Sequence, residues 1–191
     1  MVRGKPRVDA ILSASIGLLE EVGYEAMTID AVAARAHSSK ATIYRRWQSK
    51  AQLVKAALDQ LDAEHNRVIP ETGTLRSDLI AVALSIKGRA TPAHVAMMHG
   101  VALAARSDPE LAQLLRSHVQ DEALSPFQVV LTRAIERKWL PARTNAVLIH
   151  DVAEAMVLRQ LQLGAPLNRA FVLRLVDQVI LPLLGKDKKR G

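Results

Sequence analysis

The chain has no cysteine among its 191 residues, which excludes a disulfide framework and any thiolate metal site. Aromatic residues are scarce, at 3%, while apolar residues make up 49%. Ala, Leu, Val, Arg, Gln and Glu dominate instead, a mixture that favours helices because straight-chain residues lose little rotamer freedom in them. Long apolar runs are missing too. The N-terminus, Met1-Val2-Arg3-Gly4-Lys5-Pro6-Arg7, is charged and leads into no uninterrupted apolar stretch, so neither a signal peptide nor a membrane span is expected. A reducing cytoplasm is the simplest location. Internal repeats and strand-like alternation are also absent, as are the H-E-x-x-H pair, the nucleophile elbow, the phosphate loop and the dinucleotide fingerprint. Nothing therefore calls for a catalytic residue, a cofactor or a metal.

Acidic residues are missing from one interval in particular. The net charge is +7, and between Asp30 and Asp59 no Asp or Glu occurs, while Arg35, Lys40, Arg45, Arg46, Lys50 and Lys55 fall there. A second basic cluster, Arg3, Lys5 and Arg7, lies near the N-terminus. A charge run alone is commonly a solvated face. Coinciding with a pair of short helices and a tight turn, it becomes an electrostatic footprint for phosphate.

The periodicity predicts an all-α chain of about nine helices. Ile11, Leu12, Ser15, Leu18, Leu19 and Val22 recur at helical spacing, and Gly23 stands where a left-handed cap belongs. Thr28 opens a short second helix, Ile29 to Ala36, with Asp30 in its first turn and Met27 and Val32 as a hydrophobic staple. After the break His37-Ser38-Ser39-Lys40, Ser39 caps a third helix ending near Trp47. The S-x-x-Q box Ser49-Lys50-Ala51-Gln52 starts a fourth, expected to run to about residue 69, where Pro70 and Thr72-Gly73 stop it, and to join the two halves of the molecule. Further on, Thr91-Pro92, Asp108-Pro109 and Ser125-Pro126 are cap-then-proline starts. The spacing predicts helices over about 75–88, 91–106, 109–138 (interrupted near Pro126), 144–163 and 168–184, followed by a polar tail.

Residues 1–50 thus read as a helix-turn-helix domain and 51–191 as a second domain. Val32, Ala33, Ala36, Ile43 and Trp47 would pack the two helices of the motif, leaving Lys40, Thr42, Arg45 and Arg46 outward. A basic, polar helix of about two turns fits the major groove. Residues 8 to 58 resemble the DNA-binding domain of the TetR family of transcriptional regulators, on Thr28, the run Ser39-Lys40-Ala41-Thr42-Ile43-Tyr44-Arg45-Arg46-Trp47, and the pair Ser49-Lys50. The resemblance implies that Lys40, Ala41, Thr42 and Arg45 face bases or the groove, and that Thr28, Ser39, Tyr44 and Lys50 hold phosphates. Family members usually carry glycine and a small aliphatic residue where this chain has His37 and Ser38. Histidine is among the non-glycine residues enriched at positive φ, so His37 can take the left-handed position.

The same resemblance implies that the second half binds an effector and dimerises. Val152, Met156, Phe171, Leu175 and Val179, on the last two helices, are candidates for the dimer surface; the alternative is that these helices close the monomer's own core. Met97, Met98, His99, Val101, Phe127, Leu131 and Trp139 are candidates for an effector pocket, against the alternative of ordinary core packing. Arg106, His118 and Gln120 are further polar candidates there. The i, i+4 pairs His118–Glu122 and His150–Glu154 supply at most two metal ligands each and read as surface or interface pairing. The sequence thus points to a homodimeric DNA-binding regulator, a repressor of a palindromic double-stranded operator, released by a small, mostly apolar effector and independent of membranes. The alternatives are a regulator controlled by a protein partner and an all-α enzyme acting on an acidic substrate.

Overall fold

In the computed structural model, residues 5–89, 91–119 and 125–185 are described, the side chains of 87–89 and 119 excepted. Arg3, Gln120, Glu122 and the tail from 186 lie outside them. The regular structure among the described residues is helical, without strands. The helices are α1 (Lys5–Ala26), α2 (Ile29–Arg35), α3 (Lys40–Tyr44), α4 (Lys50–His65), α5 (Leu75–Arg89), α6 (Pro92–Ala104), α7 (Pro109–Val119), α8 (Pro126–Glu136), α9 (Ala146–Gln162) and α10 (Arg169–Leu175), then a π-helical turn (Val176–Ile180) and α11 (Leu181–Gly185). No helix among the described residues is long and apolar enough to cross a membrane.

Local signals place most of the helix ends. Gly23 has φ 77 and breaks α1 where the cap was expected. Ser125 has an extended backbone and accepts from the Gln128 N–H, so the expected interruption near Pro126 is the capped start of α8. Asn145 and Asn168 cap α9 and α10 in the same way, accepting from Leu148 N and Phe171 N. Two boundaries differ from expectation. Helix α4 ends at His65 rather than near 69: Pro70 has no N–H to give the carbonyl of residue 66 and its ring would clash with it, which disfavours the expected last turn. The last helix is not uniformly α: its π turn lies just before Pro182, which has no N–H to donate to an α ladder.

The chain packs as two compact units, Met1–His65 with Pro92–Gln120, and Asn66–Thr91 with Asp121–Gly191. These units do not follow the boundary expected at residue 50: α4, α6 and α7 pack with the first three helices. In the first unit α1 packs on α4 and α6, and α4 on α7. Its core includes Ile11, Leu19, Ile43, Leu53 and Leu111, all fully buried or nearly so. In the second unit α8 packs on α9 and α5, and α10 on α5, around Leu79, Leu131, Ile149, Phe171 and Leu175.

Candidate nucleic-acid interface

Helices α2 and α3 are set by three local devices. Thr28 has an extended backbone and its hydroxyl accepts from Ala31 N at 3.1 Å, while Met27 and Val32 are buried on either side of it. In the turn, His37 adopts φ 46, the left-handed conformation expected of it, and Ser38 N donates to Ala33 O. Ser39 then caps α3, accepting from Thr42 N at 3.2 Å and pairing with the Thr42 hydroxyl at 2.9 Å. The buried Ile43 and half-buried Trp47 pin α3 against the core that holds Val32 and Ala33. The Ser38 side chain contributes no hydrogen bond to this fit, for its buried hydroxyl has no partner.

The opposite side of α3 carries the charge. Lys40, Ala41, Tyr44, Arg45 and Arg46 are exposed and Thr42 is half-buried, with Tyr44 50% exposed. Arg45 and Arg46 have no ion pair among the described residues, whereas Lys40 pairs with Asp30 across the two helices. Arg35 is bound bidentately by Glu21, at 2.8 and 2.5 Å, which holds the Glu21 carboxyl below its ordinary range. Lys55 likewise pairs with Asp59. The acid-free stretch of sequence is thus partly neutralised in space, and Arg45 and Arg46, just past the end of α3, are left without an acidic partner among the described residues.

Lys50, at the start of α4, is half-buried; its ammonium donates to Tyr24 O at 2.9 Å and lies 4.2 Å from the centroid of the Tyr24 ring. The Tyr24 hydroxyl in turn donates to Asp108 at 2.7 Å, and burial together with that carboxylate pushes the phenol far up. Asp108 also caps α7 by accepting from Leu111 N, which, with the Tyr24 hydroxyl, keeps its carboxyl low. Glu110 accepts from the Ser49 hydroxyl at 2.8 Å and from Gln52 at 3.2 Å. The capping box at α4 is therefore shifted: Ser49 accepts from Gln52 N, but the Gln52 side chain accepts from Gln48 N instead of Ser49 N. Near the other end of α7, His118 bonds Asp59 at 2.7 Å and lies 3.2 Å from Asp62, both on α4. Burial opposes its protonation, but the two carboxylates outweigh it and raise the imidazole to about 9. Sequence spacing pairs His118 with Glu122, whereas the ring turns to α4. The first turn of α7 and its last thus hold the beginning and the third turn of α4, and nothing within ten residues in sequence announces either contact.

The remaining candidates divide between the two units. Met97 and Val101 are buried in the first core and Met98 packs against it, with His99 half-buried and its Nε2 without a partner. Phe127 and Leu131 belong to the second core. Trp139 is 45% exposed, with the Arg137 guanidinium over its ring. The seven are not gathered in either unit. Of the five dimer candidates, Phe171 (4% exposed) and Leu175 (0%) lie on the inward face of α10 and serve the protomer's own core. Val152, Met156 and Val179 are half-buried. Two features of the second unit are not visible in the sequence, the contact of Ser125 with His150 and the burial of Gln128. Ser125 Oγ lies 2.8 Å from His150 Nδ1 in a buried pair, with His150 Nε2 3.4 Å from Glu154. Ser125 Oγ also accepts from Gln128 N. One turn along, the Gln128 side chain is fully buried and neither of its amide atoms has a partner.

Comparison with known proteins bears on both halves of the chain. Residues 11–57 match the family model described as bacterial regulatory proteins, tetR family, and residues 69–179 match that of the tetracyclin repressor-like C-terminal domain. The chain is 43% identical over 184 residues, 96% of its own length and 97% of the relative's, to a DNA-binding transcriptional repressor TetR of Mycobacteroides abscessus. Among solved structures it is similar to the TetR family transcription regulator SCO0332, with a TM-score of 0.68 and 26% identity over 89% of this chain and 94% of that one. It is also similar to Salmonella enterica GusR, with a TM-score of 0.72 and 17% identity over 96% and 98%.

Proposed function

From the premise that the chain belongs to the TetR family of DNA-binding transcriptional regulators, we propose that it acts as a homodimeric repressor of a palindromic operator, released by a small, mostly apolar effector. The observation that carries the DNA-reading part is the outer side of α3 together with Arg45 and Arg46, which directly follow it and stand exposed without an ion pair among the described residues, on a segment anchored by Ile43. Arg45, with Lys40, Ala41 and Thr42, reads base edges in the major groove, where an arginine pairs best with a guanine. Thr28, Ser39, Tyr44 and Lys50 hold phosphates. For Lys50 the donation to Tyr24 O leaves two ammonium protons for a phosphate oxygen, and the Tyr24 ring fixes the direction of the side chain. A C2 dimer presents two such helices to half-sites roughly 34–36 Å apart, or a multiple of that spacing.

The repressing sign is supported by the 43% identical relative, which is a DNA-binding transcriptional repressor. The dimer surface is assigned to the outward side of α9, where Leu148 is 51% exposed, Ala155 is exposed and Val152 is half-buried between them. An operator-bound regulator of this kind works in the cytoplasm. The effector shifts the population toward a conformer with poorer operator affinity, by as much as its affinities for the two conformers differ.

Selection of bound genomic fragments, followed by titration of the resulting operator with variants, tests this reading. Lys50→Ala should weaken binding nearly uniformly across sequences and lower the salt slope by about 1, whereas Arg45→Ala should relax preference at one base position per half-site. Unchanged operator affinity in both variants would overturn the assignment.

A further inference from the structure

Among the described residues, the second unit holds one polar side chain that the protein itself leaves unserved. Gln128 is 0% exposed, and both Oε1 and Nε2 lack a partner. It sits on the inward face of α8 with Phe127, Val130 and Leu131, and that helix packs against α5 and α9, whose buried residues include the apolar Leu79, Val82, Ile149 and Ala153 beside the polar Asp78 and His150. The nearest polar groups along the chain are already committed: Ser125 accepts from the Gln128 N–H and pairs with His150, whose other nitrogen faces Glu154. A trapped water needs two to four polar partners, and the buried polar groups on the neighbouring elements, Asp78, Ser125 and His150, already hold partners of their own. A native core rarely leaves such a group unmatched without a further role for it.

Resting on the reading of this protein as an effector-released repressor, we propose that Gln128 is the polar anchor of the effector and that the effector is a neutral, mostly apolar compound carrying one amide-type edge, a C=O beside an N–H. A primary amide offers one acceptor and two donors from a single plane. It is matched by a ligand amide, lactam or imide placed edge to edge, with the ligand N–H donating to Gln128 Oε1 and Gln128 Nε2 donating to the ligand carbonyl. The edge must be neutral. No lysine or arginine is among the buried residues described, His150 already faces Glu154, and Asp78 is a buried acidic residue of the same unit, so an anionic headgroup would enter without a free counter-charge. The rest of the compound is apolar because the side chains around α8 are.

The test uses the full-length protein, Gln128→Leu and Gln128→Met, with three probes on one alkyl chain: octanamide, N,N-dimethyloctanamide, which lacks the N–H, and octanoate. Calorimetric titration of the wild type should give octanamide at least tenfold tighter binding than either of the other two. Both variants should erase that preference. Without ligand, the variants should melt at or above the wild-type temperature, since they remove an amide that bonds to nothing. Equal binding of the three probes, no binding of octanamide, or variants melting several degrees below the wild type would each overturn the proposal. A parallel screen of a chemically diverse library for release of operator DNA separates the two levels. Releasing compounds that lack an amide edge and still act on Gln128→Leu would sink the anchor and leave the effector reading standing. A library in which nothing releases the DNA would sink both.

Discussion

Replacing His118 by glutamine should make stability less sensitive to alkaline pH. The ring lies between Asp59 and Asp62 with its side chain 9% exposed, and its folded pKa is raised to about 9 from the ordinary 6.5. At about 1.36 kcal/mol per pH unit, that rise is worth on the order of 3 kcal/mol in favour of the folded state. The sign follows from which state holds the proton more tightly. Below pH 6.5 the ring is protonated in both states and the full contribution is present. Between 6.5 and about 9 the unfolded chain sheds its proton while the folded one keeps it, so stability falls as pH rises, and above 9 the contribution is gone. The Asp59 carboxyl, where burial is outweighed by His118 and Lys55, is held low instead, so its own contribution is lost only at acid pH. Trp47 packs against the first core and Trp139 belongs to the second unit, so a Trp139→Phe background makes fluorescence report on the unit that contains His118. Urea unfolding followed this way from pH 6 to 10 should show the stability gap between the His118→Gln variant and its parent narrowing by about 3 kcal/mol. A gap that stays constant across that range would refute the ion-pair account of the α4–α7 contact.

The reading-head turn offers two further tests by thermal melting. His37→Gly should stabilise the protein by about 0.5–1 kcal/mol, because φ 46 is a conformation in which a side chain is a burden. Ser38→Ala should be neutral or stabilising by up to about 1 kcal/mol, since the lost hydroxyl is buried and bonds to nothing. Marked destabilisation by either change would mean that the turn is held by an interaction of that side chain.

The sequence was most informative where structure is decided within a turn or two. Gly23, Thr28, Ser39, Ser125 and Asn168 mark helix ends because their caps need only neighbouring backbone, and His37 takes the left-handed position for the same local reason. Periodicity could not say which partner an apolar face meets. Phe171 and Leu175 look the same in sequence whether they face a second subunit or their own core, and here they face the core. Long-range polar choices were equally hidden. Tyr24 finds Asp108 84 residues away, His118 finds Asp59 59 residues away, and Gln128 reads as an ordinary helix residue until its burial is known.

The claim on which the rest depends is that α3 enters the major groove of two symmetric half-sites. Methylation of guanine N7 by dimethyl sulfate on the bound operator reads that groove directly. Protection of guanines at two symmetry-related positions about one helical turn apart, with the protection lost selectively in Arg45→Ala, is the expected result. Full reactivity of every guanine N7 under saturating protein would contradict it.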